Sequence, residues 1–267
     1  ALMSPTISAI EPLRAVEGGN VIVRGSRFSV DPLRRVTIGS ANARVTFASS
    51  RRIGVLAPAD LESGPAALRV DGTNGTFLSI GAAWATGLHQ VDNPVFDRAG
   101  NLYVTYSGGR GQEAPVSIFR VTPAGTREAF ASGIVNATSM AIGPDDALYV
   151  SSRFEGAIYR VASDGTYETV ATDLGVACGI AFDAEGSMYV GDRSGTVFQV
   201  KDSKATPFAT LPSSIAAFHL AMAPSGDLYV SAPTLGSYDQ IYRISRSGEV
   251  SRLAATFGRP QGIAFGP

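Results

Sequence analysis

The chain has 267 residues, 22 basic and 23 acidic side chains, a formal net charge of −1, 30 glycines, 15 prolines and one cysteine, Cys178. That length holds one large all-β domain or a small domain plus a larger one, and the glycine and proline content points to many turns in a globular chain. The composition excludes an intrachain disulfide framework and a multi-cysteine metal site, the balanced charge is not that of a nucleic-acid binder, and no apolar run approaches the roughly 18 residues that span a bilayer.

The charge is unevenly divided. Residues 1–80 carry nine arginines against six acids, whereas the rest carries 13 basic and 17 acidic groups. The opening "ALMSPT" has neither a basic n-region nor an apolar h-region, so a signal peptide is absent, removed or never included.

In chain order, "PTISAIEPLRAVEGGNVIVRGSRFS" predicts alternating strands on either side of Gly18-Gly19. "RVTIGSANARVTF", "RIGVLAPAD" and "GPAALRVDG" follow as further short strands separated by turns. That spacing is expected of a β-sandwich. Pro5-x-Ile-x-x-Ile-x-Pro12, Gly18-Gly19, Val23-x-Gly25-x-x-Phe28 and Val36-x-Ile-Gly39 resemble the IPT/TIG immunoglobulin-like domain over nearly all of residues 4–79, without the paired cysteines of antibody domains. Residues 71–75 and the strand after them are expected to carry the junction to the remainder of the chain.

Beyond residue 80 the sequence repeats. "NPVFDRAGNLYVTYS" from Asn93, "TSMAIGPDDALYVSS" from Thr138, "CGIAFDAEGSMYVGD" from Cys178 and "FHLAMAPSGDLYVSA" from Phe218 align, with tyrosines at 103, 149, 189 and 229. Each contains an apolar strand, a Gly- or Asp-bearing turn and a second strand. A third strand of period two follows in "SIFRV", "AIYRV", "TVFQV" and "QIYRI". "REAFA", "YETVA", residues 206–209 and "VSRLA" supply a fourth. A period near 40 residues with four strands per unit predicts the blades of a β-propeller.

The pattern Gly-Ile-Ala-Phe-Asp-x-x-Gly-x-x-Tyr-Val-x-Asp, complete at residues 179–192, resembles the NHL-repeat propellers and their relatives, the senescence-marker/gluconolactonase and virginiamycin-lyase propellers. The resemblance covers residues 81–267. It implies a fold strongly and a function weakly, since that group includes lactonases, lyases and binding modules. The expectation is therefore an all-β chain: a small immunoglobulin-like β-sandwich over 1–80, then an incomplete propeller of four whole blades over 81–267. "QGIAFGP" at 261–267 reads as the inner strand of a fifth blade, and residues 82–88 as a lone outermost strand. The parent ring is expected to have six blades, with on the order of 80 further residues at about 40 per blade; a five-bladed ring is the alternative.

For chemistry, the gluconolactonase resemblance implies one divalent cation such as Ca²⁺ over the central channel, held by hard oxygen ligands. Aligned motif to motif, its ligand positions fall at Asp92, Thr138, Cys178 and Phe218, of which only the first offers a carboxylate. Asp92 beside Asn93 also suits a turn into a strand. The virginiamycin-lyase resemblance implies a channel-mouth histidine as base. Of the two histidines, His89 and His219, the second stands at an inner-strand start, where a hydrogen-bonded structural histidine is the favoured reading. Cys178 reads as a nucleophile or as a buried apolar cysteine. "SGGRGQE" at 107–113 reads as a surface insertion or an anion-binding run of backbone N–H groups. Asn74-Gly-Thr76 and Asn136-Ala-Thr138 match the glycosylation sequon.

The loops from fourth to first and from second to third strands of a propeller share one face around the channel. His89, Asp92, Asn93, Asn136, Arg153, Glu155, Asp192, Arg193, His219 and the 232–240 loop with Tyr238 are expected there. Their mixture of charge, amide and aromatic groups suits a polar ligand or a peptide. The reading is a noncatalytic binding or scaffold module of a bacterial extracytoplasmic multidomain protein, without catalytic residues, resident metal or cofactor. Its partner is a protein, peptide or polar small molecule, with no nucleic acid and no membrane span. A lactone hydrolase with a divalent cation, or a lyase, on the same propeller is the alternative.

Overall fold

The computed structural model describes residues 4–30, 35–70, 73–82, 84–85, 88, 93–216 and 218–266, and divides the chain into two compact units, Ala1–Thr86 and Gly87–Pro267. Its described residues contain strands and turns and no helix, hence none long enough to cross a membrane.

The first unit contains β1 (Thr6–Glu11), β2 (Arg14–Ala15), β3 (Asn20–Ser26), β4 (Val36–Ile38), β5 (Ala41–Asn42), β6 (Arg44–Ala48), β7 (Arg52–Leu56), β8 (Gly64–Val70) and β9 (Thr76–Ile80). They form two sheets, ordered β1-β3-β7-β6 and β2-β9-β8-β4-β5. The period-two pattern explains the sandwich: Val21 and Val23 of β3, Ile53 and Val55 of β7, and Leu68 and Val70 of β8 are fully buried, while their neighbours in sequence turn outward. This is the immunoglobulin-like sandwich that the alternation predicts.

The second unit contains four four-stranded antiparallel sheets. The first blade is β10 (Val95–Phe96), β11 (Leu102–Thr105), β12 (Ile118–Val121) and β13 (Arg127–Ala131). The second is β14 (Ala137–Ile142), β15 (Leu148–Ser152), β16 (Ala157–Val161) and β17 (Tyr167–Ala171). The third is β18 (Ala177–Phe182), β19 (Met188–Asp192), β20 (Thr196–Lys201) and β21 (Lys204–Thr210). The fourth is β22 (His219–Met222), β23 (Leu228–Ser231), β24 (Asp239–Ile244) and β25 (Val250–Phe257). In every blade the strand order is the chain order, the arrangement that each repeat predicts. Pro207 sits in β21, at the outer edge of its blade, where no further strand needs its missing N–H.

The cores lie between blades rather than within them. Tyr103, Ile118, Met140 and Val150 belong to one cluster spanning the first and second blades; Ile158, Leu174, Ile180 and Val190 span the second and third; Val197, Phe218, Leu220 and Val230 span the third and fourth. The second and third sheets therefore have two apolar faces, which is why their inner and second strands read as nearly continuous apolar runs.

A hydroxyl repeats at the seams. Thr105 Oγ1 donates to the Thr138 carbonyl at 3.1 Å and Ser151 Oγ to the Cys178 carbonyl at 2.7 Å. These hydroxyls follow "Tyr-Val" in β11 and β15, and the carbonyls lie at the inner edge of the following blade. Ser231 Oγ makes the same contact with the Gln261 carbonyl, and the Phe265 ring meets Tyr229 edge-on at 5.2 Å, as Phe182 meets Tyr149 at 4.9 Å. Residues 260–266 thus lie on the fourth blade as an inner strand lies on its predecessor. They make no strand ladder, since none of the described strands pairs with them. The described positions among residues 82–88 likewise form no strand, and the first blade already has an outer strand in β13.

Candidate functional site

The face formed by the second-to-third and fourth-to-first strand loops is built on hydrogen bonds between those loops. In the second blade Ser152 Oγ donates to the Val135 carbonyl at 2.6 Å and accepts from the Glu155 N–H at 3.1 Å. At the same place in the third blade, Asp192 Oδ1 accepts from the N–H groups of Val176 and Ser194 at 2.9 and 3.0 Å, while its other oxygen accepts from the Ser194 hydroxyl. In the fourth, Ser214 Oγ donates to the Pro233 carbonyl at 2.7 Å, and Ser214 N–H donates to the Arg193 carbonyl at 3.0 Å. A buried polar group is accommodated when it is hydrogen-bonded, so Asp192 here fixes loop shape.

The glycine-rich stretch at 107–113 is fastened by a residue that the sequence placed on this face for another reason. Asn136, almost fully buried, accepts from the Gly111 N–H at 2.7 Å and donates to the Gly108 and Gly109 carbonyls at 3.2 and 3.1 Å. The Gly111 N–H is therefore engaged within the protein, and Asn136 is too enclosed to accept a glycan. Gly111 has φ +73°, and a Cβ there would lie 2.8 Å from the Phe154 ring, so the ring rests on bare backbone.

The expected site residues separate into two groups. Asn93 and Asp192 are structural: Asn93, at φ 46°, donates from Nδ2 to the Met140 carbonyl at 2.9 Å, joining the first blade to the second. Arg153 and Arg193 are exposed, Tyr238 is 72% exposed, and Phe154 beside Arg153 is 53% exposed. Asp239 at the start of β24 accepts twice through Oδ1, from the Thr234 hydroxyl at 2.7 Å and the Thr234 N–H at 3.1 Å, so the loop carrying Tyr238 is held at its base. Asp92 and His89 lie outside the described residues.

His219 stands at the first position of β22. It is buried and sits directly opposite Ser231 across the β22–β23 ladder. Opposed residues of an antiparallel pair share a face, and Ser231 bonds to Gln261, so His219 faces the same seam between the fourth blade and residues 261–265. Cys178 is likewise buried in the seam between the third and fourth blades.

Of the positions implied for a cation, the described ones, Thr138, Cys178 and Phe218, do not form a ligand set. Thr138 is buried with its hydroxyl donating to the Asn136 carbonyl at 2.8 Å, and Cys178 and Phe218 offer no hard oxygen side chain. Among the described residues no group of three or more His, Cys, Asp or Glu is placed to hold a metal ion. The described residues at these positions do not fit a divalent cation.

Two clefts lie at the opposite face, between successive blades, near the turns that join first and second strands. One, of about 310 Å³, is lined by Tyr103, Phe130, Asp145 and Arg160; the other, of about 330 Å³, by Tyr149, Phe182, Glu185 and Lys201. Polar pairs recur on this side of the blades, two of them, Tyr103–Asp97 and Arg160–Asp145, in the first cleft. Asp97 Oδ2 accepts from Tyr103 OH at 3.1 Å, and Arg160 donates to Asp145 at 2.7 Å; Arg120 donates to Glu128 at 2.7 Å and Arg243 to Asp227 at 2.7 Å. In the ladders each of these arginines stands opposite its blade's tyrosine, Tyr103, Tyr149 or Tyr229. Sequence reasoning did not identify this ladder, although the triplets Phe-Arg-Val at 119–121, Tyr-Arg-Val at 159–161 and Tyr-Arg-Ile at 242–244 carry it.

Residues 5–82 match the IPT/TIG domain. No curated protein matches the chain. Among solved structures the chain is similar to a streptogramin B lyase, at 16% identity and TM-score 0.54, covering 98% of this chain and 87% of the lyase. It is similar to the virginiamycin B lyase of Staphylococcus aureus at 13% identity and TM-score 0.52, covering 98% and 89%. It is also similar to an auxiliary nutrient binding protein from Bacteroides thetaiotaomicron at 14% identity and TM-score 0.49, covering 96% and 70%. The chain is an IPT/TIG domain followed by a β-propeller array of blades.

Proposed function

We propose that the second unit is a noncatalytic binding module, part of a bacterial extracytoplasmic protein, which holds a polar small molecule or a peptide on its loop face through Arg153, Arg193 and Tyr238. The observation that carries this reading is the division of labour on that face. Asn93, Asn136, Asp192 and Asp239 have side-chain groups engaged in holding loops, whereas Arg153, Phe154, Arg193 and Tyr238 point their bulk to solvent from those held loops. Rigid loops with exposed cations and aromatics favour recognition. Catalysis requires a base or nucleophile beside a second polar group at a shared point, and His219 and Cys178, the candidates for those roles, are both buried.

The test is thermal-shift screening of the full chain against carboxylated sugars and dipeptides, followed by NMR of each hit. The expected result is a shift that falls when Arg153 or Tyr238 is replaced by alanine, with the compound recovered unchanged. Consumption of the compound by the protein would sink the noncatalytic reading; shifts indifferent to both replacements would sink the assignment to this face.

A further inference from the structure

The outer face of the β1-β3-β7-β6 sheet in the first unit carries a second, independent site. The ladders set Arg24 opposite Arg52, Ile22 opposite Gly54, and Arg44 opposite Leu56, with Phe47 also opposite Gly54. Because Val21, Val23, Ile53 and Val55 point into the sandwich, this alternate set points out of it. The result is an apolar strip of Ile22, Leu56 and Phe47 bordered by three guanidinium groups.

Two features of this face weaken the sheet that bears it. Like charges directly opposite one another repel, and of the pair Arg24 and Arg52 only Arg24 has a carboxylate, Glu11 Oε2 at 3.0 Å. Arg52 lies over the Phe47 ring, 5.2 Å from its centroid, and neither Arg52 nor Arg44 makes an ion pair among the described residues. Gly54 stands inside β7, where a glycine costs strand stability and marks a close approach. A Cβ there would lie 2.9 Å from Phe47 Cδ1 and 2.8 Å from Thr46 Oγ1, so glycine is what lets the 40%-exposed Phe47 ring lie down on the sheet. An aromatic ring seated on bare backbone and flanked by arginines is a preformed contact surface.

We propose that this face docks an extended, acidic polypeptide segment, whose carboxylates pair with Arg44 and Arg52 while its apolar side chains cover Ile22, Leu56 and Phe47. Charge selects the partner: three arginines here face one glutamate. Their strands, β6, β7 and β3, span about 10 Å at the usual strand spacing, a distance an extended chain covers in about three residues. The apolar strip between the cations selects a polypeptide over a nucleic acid, whose backbone would leave that strip uncovered.

The test uses the full chain and fluorescence anisotropy at low salt, with three fluorescein-labelled probes: a peptide alternating glutamate and valine, one alternating glutamate and serine, and a single-stranded DNA oligonucleotide. The expected result is that the glutamate-valine peptide binds best and loses about tenfold in affinity with Arg44→Glu plus Arg52→Glu. Phe47→Ala gives a comparable loss, while Lys201→Glu, a charge reversal in the second unit, changes nothing. Equal binding of the glutamate-serine peptide, tighter binding of DNA, an equal effect of Lys201→Glu, or no binding by the glutamate-valine peptide each overturns the proposal. Both arginines are exposed, so an unchanged urea midpoint for the double variant separates loss of contact from loss of fold.

Discussion

Gly191 of the third blade and Phe218 of the fourth fill one space between them. A Cβ on Gly191 would lie 2.9 Å from Phe218 Cβ and 2.8 Å from Leu220 Cδ1, and Phe218 is fully buried. At the preceding seam the position of Gly191 is held by Ser151, whose hydroxyl donates to the backbone carbonyl of Cys178, while the Cys178 side chain packs in the seam between the third and fourth blades. One seam is closed by a hydroxyl and the next by volume.

Gly191→Ser should therefore destabilise the second unit by about 1–3 kcal/mol through overpacking, and Phe218→Cys by about 3–5 kcal/mol through the lost ring. The double variant has room for the serine at 191, because its side chain at 218 is smaller. Its destabilisation should be smaller than the sum of the two, as a double-mutant cycle in urea would reveal; strict additivity would show that the two positions do not share the space.

Ser151→Ala removes a donor to the Cys178 carbonyl and an acceptor for the Ser139 N–H, both buried. The expected loss is about 1–3 kcal/mol. Ser247→Ala, which removes an exposed contact with Ser245, should stay within about 0.5 kcal/mol. Equal effects of the two replacements on urea unfolding would remove the seam hydroxyl from the account of stability.

Asn136→Ala takes away the three hydrogen bonds that hold residues 108–111. Arg110 lies exposed within that stretch. Trypsin should then cleave after Arg110 at least about tenfold faster than in the parent protein, because local opening controls proteolysis. Mass spectrometry of the first fragments reads this directly, and an unchanged cleavage rate would mean that the loop holds its shape without the amide.

Carboxyl and phenol groups of the second unit predict two pH limbs. Burial pulls the Asp97 and Asp145 carboxyls upward, but hydrogen bonds from Asn101 and Tyr103 to the first, and from Arg160 and the Ala147 N–H to the second, hold both below their ordinary 3.8. Their stabilisation is present above pH 3.8 and lost as pH falls through the lowered folded values. Burial first, and then neighbouring carboxylates, raise the phenols of Tyr103, Tyr149, Tyr159 and Tyr189 above their ordinary 10.0. Their contribution is present below pH 10 and lost above it. Melting temperature against pH should show both limbs, with Tyr159→Phe flattening the alkaline one and Asp97→Asn the acid one.

The blades were legible in the sequence because "Leu/Met-Tyr-Val" places buried residues at fixed intervals, and burial between sheets tolerates little departure from that pattern. The sandwich was legible for the same reason, through alternations such as that of Val21 and Val23. The roles of individual polar residues were not. Asp192, Arg153 and Arg193 sit within two adjacent second-to-third loops and look alike as loop polar groups, yet burial divides them, and burial in a loop depends on which neighbouring blade's carbonyls and N–H groups come within reach. His219 read as a strand entry, and only the register with Ser231 sets it against the seam.

The seam between the third and fourth blades also differs from the others in its response to temperature. Apolar burial loses strength on cooling, whereas hydrogen-bonded contacts do not share that dependence. With Phe218 and Leu220 seated against Gly191, and no seam hydroxyl at that position, this joint is the one that chilling weakens most. Cooling should therefore weaken the contact between the third and fourth blades relative to the seams that a hydroxyl also closes.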